Sequence, residues 1–139
     1  MADTATKRKW WQRLLGIPAT GVPQDPGCWS YEDGTLTVDL ARAPELEPAS
    51  GALRIEADAL PKRVLVVHGE DGEYYAFCNK CQHAGRRLDP VSNPGSLQCC
   101  SVSKSSYDYE GNILSGPAKG HLIRFALENQ DGKLVISIV

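Results

Sequence analysis

The sequence predicts an all-β domain, and three features of it carry that prediction. Short runs alternate polar and apolar residues with a period of two. Asp-Gly and Gly-Asn pairs separate these runs as turns. From residue 34 onward no long helical pattern interrupts them. Strands this short, joined by turns this tight, bury their apolar faces by packing as a sandwich or a small barrel.

The first thirty residues stand apart from the rest. Lys7, Arg8, Lys9, Trp10, Trp11, Arg13, Leu14, Leu15 and Ile17 make a basic, aromatic segment, with Trp10, Leu14 and Ile17 near helical spacing. Gly16 and Pro18 end any helix there. Residues 7–17 are therefore a candidate for contact with a membrane surface or a partner, or a cover for an edge of their own domain. Residues 18–30, rich in Gly and Pro, read as linker, which places an extension at 1–30 and a domain at 31–139.

Within the domain, Thr35-Leu36-Thr37-Val38-Asp39-Leu40 alternates cleanly, and Pro44 and Pro48 punctuate the stretch after it. Ala52–Ile55 is a short strand. Arg63–His68 is a stronger one, with an apolar run suited to burial. Glu70-Asp71-Gly72-Glu73 is a hairpin turn into Tyr74–Phe77. Ser96–Cys99 and Ser106–Tyr109 form a further pair, and Glu110-Gly111-Asn112 turns into Ile113-Leu114. Ile123–Glu128 and Lys133–Ile138 close the chain around a turn containing Asp131-Gly132.

The composition narrows the class. The chain has 139 residues, enough for one domain and a short extension; it is 42% hydrophobic and 23% charged, with a formal charge of -2. That balance gives no basis for nucleic-acid binding. No apolar run approaches the roughly eighteen residues of a membrane span. No apolar stretch and cleavage site come after the basic start, so the expectation is a cytoplasmic protein.

Of five cysteines, Cys28 lies apart, while Cys78, Cys81, Cys99 and Cys100 fall in one central stretch. Clustered cysteines in a reducing compartment serve metal or redox chemistry more readily than a disulfide framework. Cys28, beside Trp29, reads as a small buried apolar residue. Cys81 and His83 are one residue apart, and sixteen residues separate His83 from Cys100. A Cys-x-His turn facing a second cysteine turn supplies a mixed thiolate–imidazole metal site. Cys78 and Cys81 also form a Cys-x-x-Cys, so Cys78, Cys81, His83 and Cys100 make a zinc-type set. Against that, Cys78 also reads as the end of a strand, pointing into the core. Adjacent residues of a strand face opposite ways, so only one of Cys99 and Cys100 can face such a site.

These landmarks together resemble the Rieske iron–sulfur domain family. The first loop has Cys81, His83, Gly85 and Leu88; the second has Cys100. Tyr107-Asp108, Gly111 and Gly116-Pro117-Ala118 then come in the family's order. The approach to the first loop, Asp71-Gly72-Glu73 and Tyr75-Ala76-Phe77, is similar too, as is the end, Asp131–Val135; the likeness covers about residues 34–139. It implies antiparallel sheets with two cluster-binding loops and a [2Fe–2S] cluster on Cys81, His83 and Cys100. It also implies a ferredoxin-like role, passing electrons to a redox partner protein. Rieske oxygenases carry a second domain with mononuclear iron, for which this chain has no room, so no catalytic activity of its own is expected.

The second loop departs from the family. Where relatives read Cys-x-x-His-Gly-Ser, this chain reads Cys100-Ser101-Val102-Ser103-Lys104-Ser105. Ser103 stands in place of the second ligand histidine and Lys104 in place of glycine. Arg86 and Val102 stand where some relatives carry a loop disulfide. Cys78 and Ser103 are the candidates for a fourth ligand, with His121 a remote one. Three readings stay open: a cluster of non-standard ligation, a cluster-free interaction or regulatory domain, and a structural zinc site.

Overall fold

The structure is a computed structural model that describes residues 20–80, 86–91, 95–99, 105–116 and 121–138. Its strands are β1 (Trp29–Glu32), β2 (Thr35–Asp39), β3 (Ala52–Ile55), β4 (Val64–His68), β5 (Tyr74–Cys78), β6 (Leu88–Val91), β7 (Ser96–Cys99), β8 (Ser106–Tyr107), β9 (Ile113–Ser115), β10 (Arg124–Gln130) and β11 (Lys133–Ser137). The helical content among the described residues is three single turns of 3-10 helix, at Pro26–Cys28, Leu40–Arg42 and Pro44–Leu46. The all-β expectation holds. No helix among the described residues is long and apolar enough to cross a membrane.

The strands form two antiparallel sheets. The larger has seven, in the order β1-β2-β11-β10-β5-β4-β3. Its turn residues do what their chemistry allows. Asp33-Gly34 and Asp131-Gly132 both take positive φ, as a two-residue hairpin whose twist matches its strands requires. Strand β10 changes partner along its length: Arg124 and Phe125 pair with β5, and Ala126–Gln130 with β11. The sheet therefore curls on itself. It closes over a core that joins Leu36, Val38, Leu134 and Ile136 from one half to Leu53, Ile55, Val64 and Val66 from the other.

Strand β4 explains its own continuous apolar run. Val64 and Val66 point into the curled core, while Leu65 and Val67 point out of it into a second cluster. All four are fully buried, because the smaller sheet, β6-β7-β8-β9, covers the outer face of β4 and β5. The second cluster holds Leu65, Val67 and Phe77 of the large sheet against Leu88, Leu97, Cys99 and Tyr107 of the small one.

Two strands have no counterpart in the sequence reading. Strand β6 contains Asp89-Pro90, a pair that argues against a strand; it is an edge strand, where a residue without an N–H is tolerated. Strand β1 begins at Trp29, inside the stretch read as linker. Gly and Pro there signal turns, but the stretch from Thr20 is tied to the domain. Arg54 N donates to Gly21 O at 3.0 Å, and Cys28 is sunk in the curled core. Arg42 makes a two-pronged contact with Asp25, at 2.7 and 2.9 Å. Residues 1–19, with the candidate contact segment 7–17, lie outside the described residues.

Candidate cluster-binding site

The site is framed by the small sheet. Leu88, which opens β6, pairs with Cys99, which closes β7. Ser106, which opens β8, pairs with Ser115, which closes β9. The connections after β5, β7 and β9 are thus attached to one end of this sheet. Cys81 and His83 belong to the first connection, Cys100 and Ser103 to the second. All four lie outside the described residues, as do Gly85, Lys104, Pro117 and Ala118.

What the structure describes is how those connections are anchored, and the anchors are polar. Asn79 is fully buried. Its backbone N–H donates to Arg63 O at 2.9 Å, and its side-chain Oδ1 accepts from Leu88 N at 2.7 Å. One amide thereby joins the last strand before the Cys-x-His stretch to the first strand after it. Arg87, next to Leu88, makes a two-pronged ion pair with Glu56, at 2.5 and 2.8 Å, and Arg54 approaches Glu56 at 3.5 Å. The Arg87 hydrogen bond holds the Glu56 carboxyl below the usual carboxylate range. On β6, Asp89 Oδ1 accepts from Thr20 N at 2.8 Å in a buried contact.

The second connection is closed at its base by Cys99 N donating to Ser105 O at 2.7 Å. Gly116 sits against that base with φ +96°, and a Cβ there would lie 2.5 Å from Ser105 Cα. Only glycine fits this crossing, which gives the Gly-Pro-Ala landmark a steric reason at its first residue. Tyr107-Asp108 is structural as well. Tyr107 is fully buried in the second cluster, and Asp108 Oδ1 accepts from Glu110 N at 2.9 Å and Asn112 N at 2.8 Å. That carboxylate shapes the turn in which Gly111 takes φ +91°. The turn is also pinned to the large sheet: Tyr109 stacks on Tyr75 at 4.8 Å, and Glu70 N donates to Tyr109 Oη at 3.1 Å.

The remaining candidates separate cleanly. Cys78 closes β5 within the curled core, on the face opposite Phe77 and the small sheet. This is the placement expected of a strand-end core residue. Cys99 is fully buried in the second cluster, and Cys28 in the curled core, where burial pushes its thiol pKa up. His121 is exposed. His68 ends β4, stacked on Tyr74 at 4.5 Å with Nδ1 3.1 Å from Glu47 O. Among the described residues no group of three or more His, Cys, Asp or Glu side chains is gathered to hold a metal. Sequence reasoning missed Asn79, Arg87 and Glu56. Their signal is adjacency to the loop for the first two; Glu56 is far away in sequence and carries none.

A family model described as the Rieske [2Fe-2S] domain matches residues 37–126. The chain belongs to the Rieske family. That span contains the Cys81–His83 connection, the Cys100 connection and the strands that flank them, and the family's domain holds a [2Fe–2S] cluster. No curated protein matches the chain. Among solved structures, the ferredoxin of carbazole 1,9a-dioxygenase from Nocardioides aromaticivorans IC177 is similar at 20% identity, with 74% of this chain and 98% of that one covered, TM-score 0.58. A complex of reduced oxygenase and oxidized ferredoxin in carbazole 1,9a-dioxygenase aligns at 16% identity over 76% of this chain and 94% of that one, TM-score 0.61. The cyanobacterial plasma membrane Rieske protein PetC3 from Synechocystis PCC 6803 aligns at 23% identity over 63% and 86%, TM-score 0.53. At these identities the likeness is one of fold.

The residues of this Rieske chain fit the family's group in two respects. Its donor set retains Cys81, His83 and Cys100, thiolate and imidazole in the family's order. The anchored ends beside them also bury one polar atom, Asn79 Nδ2, that has no hydrogen-bond partner among the described residues.

Proposed function

We propose that this protein is a small Rieske-type electron carrier that holds a [2Fe–2S] cluster through Cys81, His83 and Cys100, with a fourth ligand other than histidine. The observation that carries this reading is the pairing of Leu88 with Cys99. It joins the strand after Cys81 and His83 to the strand before Cys100, so both ligand-bearing connections leave one end of one sheet. When bound, the cluster takes up and returns one electron. The chain's part is to fix its ligands with rigid anchors and keep their ends dry. Ser103 is the fourth ligand we favour, because Cys78 packs on the other face of β5. The same placement counts against a Cys78, Cys81, His83, Cys100 zinc set. The partner is a redox protein; the neighbour in which a ferredoxin is complexed with an oxygenase supports a partner of that kind.

Ligation sets the expected potential. Two neutral imidazoles place Rieske centres at about -150 to +300 mV. Exchanging one for an anionic oxygen or sulfur ligand adds negative charge and favours the oxidised state. A redox titration of the protein purified without oxygen should give a midpoint below about -150 mV, and Ser103→His should raise it. A midpoint within the ordinary Rieske range for the unaltered chain would contradict the proposed ligation. The cluster-free reading is favoured by Lys104 and by the absent histidine. It requires colourless protein that folds without iron.

A further inference from the structure

We infer that Asn79 is a positioning residue for the cluster: its side-chain Nδ2–H donates a hydrogen bond to a cluster sulfur and raises the midpoint potential. This rests on the proposed cluster-binding function. The observation behind it is an imbalance at one side chain. Asn79 is fully buried, and its Oδ1 is committed to Leu88 N at 2.7 Å, which fixes the plane of the amide. The other end of that plane, Nδ2, is also buried and finds no partner among the described residues.

Leaving a buried amide N–H unpaired is costly, and interiors rarely do so. The described surroundings offer no relief. Cys78 and Phe77 precede Asn79 on β5. Leu88, Leu97 and Cys99 line the second cluster at the same end of the small sheet. These side chains are apolar. The adjoining carbonyls serve backbone donors: Arg63 O takes the Asn79 backbone N–H, and Cys78 O takes Lys80 N at 2.7 Å. A buried, unspent donor two residues before Cys81 suits an acceptor that the described residues do not supply. Thiolate and sulfide sulfurs are such acceptors. Hydrogen bonds to them stabilise the reduced, more negative state, so the potential rises.

The Glu56–Arg87 ion pair strengthens the case. It braces the strand that presents Leu88 N, with Arg87 Nε 2.5 Å from Glu56 Oε2. The donor that Asn79 Oδ1 accepts from is thereby next to a braced residue.

The test is pulsed electron paramagnetic resonance on the reduced protein, grown with asparagine labelled with 15N in the side chain. The chain has four asparagines, Asn79, Asn93, Asn112 and Asn129, and the Asn112 Nδ2 donates to Asp108. The expected result is a 15N coupling in the unaltered protein that disappears in Asn79→Asp, which keeps an oxygen for Leu88 N and loses the amide donor. Iron-loaded Asn79→Ala should have a lower midpoint potential than the unaltered protein. Iron-replete protein without a 15N coupling would overturn the inference, leaving Asn79 a loop clamp only. A coupling that survives in Asn79→Asp would do the same. Should both variants fail to bind iron, the absence of a coupling in the labelled unaltered protein still overturns the inference, and restoring a coupling with 15N-labelled glutamine in iron-loaded Asn79→Gln supports it. Colourless, iron-free protein would overturn the electron-carrier reading and this inference together. Iron analysis on the same sample tells that outcome from the others.

Discussion

The curled sheet and the small sheet are stabilised by different physics. The curled sheet is held by apolar mass: Leu36, Val38, Leu53, Ile55, Val64, Val66, Leu134 and Ile136 are all fully buried in a single cluster. The small sheet has shorter strands, one of only two residues, and contributes Leu88, Leu97, Cys99 and Tyr107 to its core. The end from which its connections leave is held instead by polar contacts: Asn79 to Leu88, Arg87 to Glu56, Asp89 to Thr20, Cys99 to Ser105. Apolar burial is strong but undirected, and it makes a scaffold. Hydrogen bonds are weaker in net but directional, and they set the position of a site. The division predicts that damage to one region is global and damage to the other is local.

The largest effect should come from Ile136→Ala, which opens a cavity in the curled core. A loss of about 2–5 kcal/mol is expected in urea unfolding, with both sheets melting together. Melting of the curled sheet alone would break the comparison. Next is Asn79→Ala, which strands the Leu88 N–H. It should cost about 1–3 kcal/mol, concentrated locally. Hydrogen exchange should show Leu88 losing protection while Leu134 and Ile136 keep theirs.

Glu56→Gln should cost less, about 1 kcal/mol or below, since the pair with Arg87 is partly open to solvent. Its signature is pH dependence. The Glu56 carboxyl is held low in the fold by Arg87, so its contribution is complete above the ordinary carboxylate value, about 4.3. It falls away as pH drops toward the lowered folded value. The unaltered protein should therefore lose stability in that acid window more steeply than Glu56→Gln does, as thermal melts at several pH values would show. The smallest effect concerns the seam between the sheets. The Tyr75 hydroxyl donates to Asp71 Oδ2 at 2.6 Å, and that bond, with burial, pushes the Tyr75 pKa up to about 12. Its contribution is complete below the ordinary tyrosine value and is lost as pH rises through about 12. Asp71→Asn should bring the Tyr75 absorbance titration back toward about 10 without changing the fold.

Much of this architecture was legible in the sequence, for a physical reason. Period-two alternation and Asp-Gly turns are local, so Thr35–Asp39, Val64–His68 and the Lys133–Ser137 hairpin could be read directly. The Rieske landmarks were legible because steric and capping demands fix residue type, as at Gly116 and Asp108. Strand β6 was not, because Pro90 is acceptable only at a sheet edge, and edge position is a tertiary property. The tether at Thr20 was hidden for the same reason: its partner, Asp89, is 69 residues away. Cys78 shows the limit for the site. The spacing to Cys81 suggested a ligand pair, and only the facing of β5 shows that Cys78 lies in the curled core.

The proposed cluster, with Ser103 at the second histidine's place, is open to a direct check. Optical absorption and iron analysis on protein purified without oxygen test it most directly. Visible thiolate-to-iron bands and about two irons per chain are expected. Folded protein that stays colourless and metal-free after attempted reconstitution, or that carries one zinc, would contradict it.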